Sequence, residues 1–325
     1  MKKILLLLLC PLISAAQTSY AEKLGYPADA KVLILHIDDV GMSYDSNLGA
    51  IKAMDEGVAN SLSMMMPCPW IPGFFKYLET HPNLDAGLHL TLTSEWDNYR
   101  WGPLAGKPNV PGLVDKEGAM WDTVRLTATN ASPDEIETEI RAQLERSRSM
   151  GWEPTHLDSH MGTLFATQDF LKRYLKVGME EGIPVMFPGG HNTMIQETTA
   201  ASGLTKELTD VIGQQLWEAG LPVLDDLHNI SYDWKGGETM TDEALMTYKT
   251  KKYIETIDML EPGLTMVIMH CTWPTEVFGE ISGSGQTRKG DMLAMMSPDF
   301  KAYLKANNII LTTWREAKKR RENLD

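Results

Sequence analysis

The stretch LILHIDDVGMS, residues 33–43, ends an apolar run in two adjacent carboxylates, Asp38 and Asp39. Packing alone gives no reason to set like charges side by side, and a buried carboxylate needs a compensating partner. A metal ion would answer both needs. Three further expected strand ends carry histidine: AGLHLTLT holds His89, THLDSH holds His156, Asp158 and His160 at alternate positions, and MVIMHCTW holds His270. Two histidines and a carboxylate suffice for a catalytic Zn²⁺ with an open position, and the same set suits non-haem Fe(II). Taken singly, each has a plainer reading. A strand-end histidine is usually a hydrogen-bonded structural residue, Asp39 before Val-Gly fits a turn, and His156 fits a residue that orients a ligand. The metal reading rests on all of them meeting. His81, before Pro82, reads as structural, and His191 and His228 are weaker substrate-contact candidates.

Bringing these side chains together needs elements that aim them at one place. Residues 32–37, 61–66, 86–92, 155–158, 185–187, 265–270 and 309–313 read as strands. Near-continuous apolar runs such as VLIL and TMVIM suit parallel strands covered on both faces. Helical patterns lie between them. The clearest is SPDEIETEIRAQLERSRSMG, with Ser132 as N-cap, Pro133 at the first helical position and Glu135 completing a capping box. This alternation predicts an α/β fold, a distorted (β/α) barrel of about seven parallel strands. Such barrels carry their chemistry at the C-terminal strand ends, where all the candidates fall. Residues 94–131 break the rhythm and contain Trp96, Trp101 and Trp121. So long an irregular stretch predicts a lid over the site, with Trp96 and Trp101 against substrate.

Composition narrows the partners. The 325-residue chain carries a net charge of −14, which argues against nucleic acid, whose phosphates select Lys and Arg. Residues 1–21 read as a secretory leader: Lys2 and Lys3, an apolar run, then small residues. The run is too short to span a membrane, and no later segment qualifies. The expected cut follows Ala21 in preference to Ala16, leaving one domain over 22–325. Export across an inner membrane, into a periplasm, is then expected. Cys68 and Cys271 could pair in an oxidising compartment or remain separate buried thiols. A homodimer is left open.

At this point the chain resembles the YdjC-like carbohydrate deacetylases, the family of the chitooligosaccharide deacetylases. HIDDVGMSYDSNLGAIKAMDEGVANSLSMMM resembles its opening block, with paired aspartates and Asn47. AGLHLTLT, VPGLVDKEGAMW, EIRAQLERSRSMGWEPTHLDSH, MVIMHCTW and GDMLAMMSPDFKAYLKANNIILTTWREA follow in the family's order, covering roughly residues 31–317. The resemblance implies one divalent metal on Asp39, His89 and His160, Zn²⁺ before Mg²⁺, with Asp38 as general base and His270 as acid or oxyanion partner. It implies a carbohydrate substrate carrying N-acetyl groups. Trp96, Trp101, Asn47, Asp158 and His156 stand as substrate-binding candidates. The chain departs from the family at His270-Cys271-Thr272, where His-Pro-Gly is usual. It also departs at Gly162, where a further histidine is usual, and at Met186-Phe187, where Arg is common. These departures bear on the substrate end of the site.

The chemistry also follows from the residues. A metal acidifies water and polarises an amide carbonyl, Asp38 beside Asp39 can take the water's proton, and a histidine such as His270 can protonate the leaving amine. Three rivals remain. A glycoside hydrolase would use Asp38 and Asp158 as its carboxylate pair but leave the histidines unexplained. An Fe(II) oxygenase would use a similar triad on a different fold. A non-catalytic metal- or sugar-binding protein would have no use for a base.

Overall fold

The computed structural model describes residues 18–196, 199, 203–237 and 239–324. Seven strands, all paired in parallel, form one sheet: β1 (Lys31–Val40), β2 (Ser61–Met64), β3 (Ala86–Leu90), β4 (Leu157–Ser159), β5 (Asp226–His228), β6 (Gly263–Met269) and β7 (Ile310–Leu311). Their order is β4-β3-β2-β1-β6-β5, with β7 beside β1. The VLIL and TMVIM runs are β1 and β6, paired over seven residues and fully buried. Helices cover the outside, and the sheet curls into a half-barrel.

The two ends of the sheet approach each other through residues 185–188. Val185 bridges to Leu157 at β4, and Pro188 bridges to Leu224 just before β5. The expected strand at 185–187 is therefore reduced to single bridges. Pro184 and Pro188 flank it, and proline has no N–H to give a ladder. β5 has no apolar run to announce it; Asp226 and His228 flank Leu227.

The helix Pro133–Ser149 starts as expected. Ser132 Oγ accepts from Glu135 N, and the Glu135 carboxylate accepts from Ser132 N at 2.7 Å. Its inner face is more than an apolar stripe. Buried Gln143 donates to Thr91 O and accepts from Thr91 N, and buried Glu139 accepts from Leu104 N and Ala105 N. The helix thus anchors both the end of β3 and the stretch after it. Residues 94–131 are accordingly less irregular than expected: they hold a short 3₁₀ turn (Pro111–Leu113), a Val114–Met120 bridge and a helix at Val124–Asn130.

The packed chain begins earlier than residue 22. Ser19 caps a helical turn, Tyr20–Lys23; Tyr20 N and Ala21 N donate to the Asp225 carboxylate at 2.7 and 2.9 Å, and both residues are buried. Residues 1–17, where the rest of the expected leader falls, lie outside the described residues. Cys68 and Cys271 are both buried and unpaired. Among the described residues no helix is long and apolar enough to cross a membrane.

Candidate metal and substrate site

In an extended strand adjacent side chains point to opposite faces, so Asp38 and Asp39 should diverge. They do not, because the register of β1 against β2 slips between Ile37 and Val40 and Asp39 takes a left-handed backbone, φ +64°. Aspartate tolerates this conformation better than most residues. The turn is braced from behind. Asn47 Oδ1 accepts from Gly41 N at 2.7 Å, and its Nδ2 donates to Trp70 O. Asn47, expected among the substrate contacts, is buried, lies outside the cavity wall and holds this turn.

Asp39 is the hub. His89 Nε2 from β3 and His160 Nδ1 just beyond β4 each lie 3.2 Å from Asp39 Oδ1, while Arg288 Nη1 donates to Asp39 Oδ2 at 2.7 Å. Burial would raise the Asp39 pKa, but Arg288, His160 and His89 hold it well below the usual carboxylate range. Each histidine is gripped from its far side. Asp158 Oδ1 lies 2.6 Å from His89 Nδ1, and Glu95 lies 3.0 Å from His160 Nε2. A carboxylate on one ring nitrogen fixes the tautomer and turns the other nitrogen outward.

A second layer lies beneath. His36, two residues before Asp38 and on the same strand face, bonds Ser61 Oγ through Nδ1 and turns Nε2 to Asp158 Oδ2 at 2.9 Å and Asp38 Oδ1 at 3.2 Å. Burial alone would lower its pKa, but Asp158 and Asp38 raise it to about 9. The His160 pKa likewise rises to about 9 against the pull of burial, through Glu95 and Asp39.

Asp39 Oδ1, His89 Nε2 and His160 Nδ1 are donor atoms of a group lying within 4.8 Å of one another, and buried Asp39 Oδ1 has no hydrogen-bond partner. Four carboxylates (Asp38, Asp39, Glu95 and Asp158) meet one guanidinium here. Those carboxylates favour positive charge on His89 and His160, and a divalent cation held by Asp39, His89 and His160 would take the place of the protons on those two rings. The donor set suits Zn²⁺.

His270 follows β6. Its Nε2 is 3.9 Å from Asp38 Oδ2 and 4.0 Å from Asp39 Oδ2, and its ring stands edge-on to Tyr232. Burial lowers its pKa. Asp291 holds its backbone N–H at 3.1 Å, and Asp291 is itself clamped by the buried Lys249 ammonium and the Tyr253 hydroxyl.

All five of Asp38, Asp39, His89, His160 and His270 open onto one cavity of about 810 Å³. Trp96 lines it as expected. Trp101 does not. It is buried among Met42, Met65, Cys68 and Met120, donates Nε1 to Thr93 O and stands edge-on to Trp96, which it supports. Asp158 and His156 also do not line the cavity: Asp158 is enclosed by His36 and His89, and His156 stacks on Trp314, its Nδ1 bonded to Thr155 Oγ1. His191 and His228 do not line the cavity, and His81 bonds Tyr77 O locally. Sequence reasoning missed His36, Glu95, Arg288 and Tyr232. His36 was legible, since a period of two from Asp38 places it on the same face. Glu95 and Arg288 carry no such signal.

Comparison with known proteins gives a consistent picture. A model of the YdjC-like protein family matches residues 32–306. A carbohydrate deacetylase of Thermus thermophilus is 27% identical over 294 residues, covering 90% of this chain and 96% of that protein. A chitooligosaccharide deacetylase of Serratia marcescens is 34% identical over 135 residues, covering 40% of this chain and 49% of that one. A crystal structure from Enterococcus faecalis V583, described as a candidate cellobiose-phosphate cleavage protein, shares the fold. Its TM-score is 0.69 at 19% identity, over 88% of this chain and 98% of that one.

Proposed function

The chain belongs to the YdjC-like protein family, and on that premise we propose that it is a metal-dependent carbohydrate deacetylase, removing N-acetyl groups from an amino-sugar oligosaccharide. The observation that carries the reading is the convergence of Asp39, His89 and His160, with Asp158 and Glu95 turning both imidazoles toward Asp39. Zn²⁺ is the favoured ion, with Mg²⁺ second. Bound there, it would supply Lewis acidity to an amide carbonyl and to water. Asp38, 8% exposed at the cavity and oriented by His36, takes the proton from the attacking water. His270 passes a proton to the leaving amine; burial lowers its pKa, so its imidazolium gives the proton up readily. Trp96 offers a face to a sugar ring. The glycoside hydrolase alternative loses its second carboxylate, because Asp158 is 1% exposed and enclosed by histidines.

The test joins metal analysis to acetate release from N-acetylated chito-oligosaccharides. One divalent ion per chain is expected, and chelation abolishes acetate release that added Zn²⁺ restores. Undiminished release after complete chelation removes the metal from the mechanism. No release by the metal-loaded protein overturns the deacetylase reading. We propose separately that the chain loses a leader on export to a periplasm, which the Lys2-Lys3 pair, the apolar run and the small residues that follow support.

A further inference from the structure

We infer that the preferred substrate carries an N-acyl chain longer than acetyl, on the order of four to six carbons, with its tail against an apolar wall inside the cavity. This rests on the deacetylase reading of the site and shifts the preferred acyl group from acetyl to a longer chain on the same amide. The circuit of the half-barrel divides into two arcs. From β6 through β1 and β3 to β4, the cavity is faced by His270, Asp38, Asp39, His89 and His160. From β4 through residues 185–188 and β5 back to β6, it is faced by Phe165, Met186, Ile195, Leu227 and Ile268. Met186, Ile195, Leu227 and Ile268 belong to one buried cluster, and Phe165 packs against it.

Ile268 and Leu227, on β6 and β5, form the inner part of the apolar arc, and Phe165 and Ile195 come from connections beyond the strands. Ile268 is two residues before His270 on β6, so it shares that strand face one step further into the barrel. The polar groups of this arc, Asn229, Tyr232 and Asp233, come after β5 has ended and stand toward the mouth. Thr199 also faces the cavity, and its hydroxyl donates to Ile195 O and Gln196 O.

A sugar ring carries a hydroxyl on most of its carbons, and each would lose its hydrogen bonds against such a wall. The sugar therefore stays at the mouth near Trp96, and the apolar part of the substrate goes inward. With the amide carbonyl at Asp39, the inward part is the acyl tail. A single acetyl methyl cannot touch side chains from four separate segments; a chain of several methylenes can. The reaction is otherwise unchanged. Water oxygen bonds to the acyl carbon, the C–N bond breaks, the amine leaves with a proton, and the acyl group departs as a carboxylate.

The test compares glucosamine oligosaccharides N-acylated with acetyl, butanoyl, hexanoyl and octanoyl groups, reading free amine. Each methylene removed from water is worth up to about fourfold, so kcat/KM should rise at least tenfold from acetyl to hexanoyl. Met186→Gln and Leu227→Asn should each lower the hexanoyl-to-acetyl ratio. A flat or falling series, with acetyl still hydrolysed, overturns the inference. So does a gain from alkyl glycosides of N-acetylglucosamine that acyl length does not give, because the wall would then take the aglycone. Calorimetry of product binding needs no turnover. Hexanoate should bind the metal-loaded protein at least tenfold more tightly than acetate, and equal affinities overturn the inference even if no amide is cleaved. Failure to cleave any acyl length, with hexanoate preferred, instead overturns the deacetylase reading.

Discussion

At the scale of residues, the left-handed backbone at Asp39 brings neighbouring carboxylates to one mouth with different partners. Asp39 faces His89, His160 and Arg288, Asp38 faces His36, and His270 lies about equally near both. Two substitutions separate the roles. Asp38→Asn should keep metal and fold and lose about 10²–10⁴-fold in turnover, the usual worth of a general base. Glu95→Gln should do the reverse first, weakening metal affinity about 10–100-fold by freeing His160 to reorient. Metal titration beside acetate release decides both; a metal-free Asp38→Asn protein, or unaltered metal affinity in Glu95→Gln, refutes the division. Asp38, Asp39, His89, His160 and His270 were legible because each lies at or near the C-terminal end of an expected strand. The substrate contacts were less so. Trp101, Asn47, Asp158 and His156 have the right types for binding sugar, but what each touches depends on neighbours distant in the chain. Asp158, for instance, is enclosed by His36 from β1 and His89 from β3.

At the scale of elements, the helix Pro133–Ser149 joins the site to the segment above it through Glu139 and Gln143. Its capping box was readable; its buried polar face was not, since a Glu and a Gln on a charged helix look solvent-facing until Leu104, Ala105 and Thr91 are seen opposite. Burial raises the Glu139 pKa from the ordinary 4.5 to about 7, against the N–H groups of Ala105, Gln143 and Leu104. Between those two pH values the folded chain holds a proton that the unfolded chain releases. Stability should therefore fall as pH rises from 4.5 to 7. Glu139→Gln cannot titrate, so urea midpoints across this window should decline in the wild type relative to the variant; parallel curves exclude the effect. The segment that Glu139 anchors splits its tryptophans. Trp96→Ala should weaken oligosaccharide binding with little change in melting, and Trp101→Ala should cost about 3–5 kcal/mol of stability, as for other buried tryptophans. Equal melting temperatures for the two would contradict the assignment of Trp101 to support.

At the scale of the whole molecule, alternating apolar runs and amphipathic helices made the parallel barrel-like sheet legible, because a strand buried on both faces has few other readings. The gap near residues 185–188 was not legible: an apolar IPVMFP looks like a strand, and only its flanking prolines hint at broken pairing. Small residues precede both expected cuts, and composition cannot say which of them are packed. Tyr20 and Ala21 are 4% and 1% exposed, and their N–H groups satisfy an Asp225 carboxylate that also accepts from Leu264 N. Ending the leader at Ala21 would remove two of these three donors from a buried acid, a loss on the order of 1–3 kcal/mol, and would uncover what Tyr20 and Ala21 now cover. Ending it at Ala16 leaves all of this intact. A chain starting at Gln17 should therefore melt several degrees above one starting at Glu22, and protein recovered from a secreting host should begin at Gln17 by N-terminal sequencing. Identical melting of the two chains would show that the Asp225 contacts do not stabilise the fold, and a terminus at Glu22 would show that the processed chain dispenses with them.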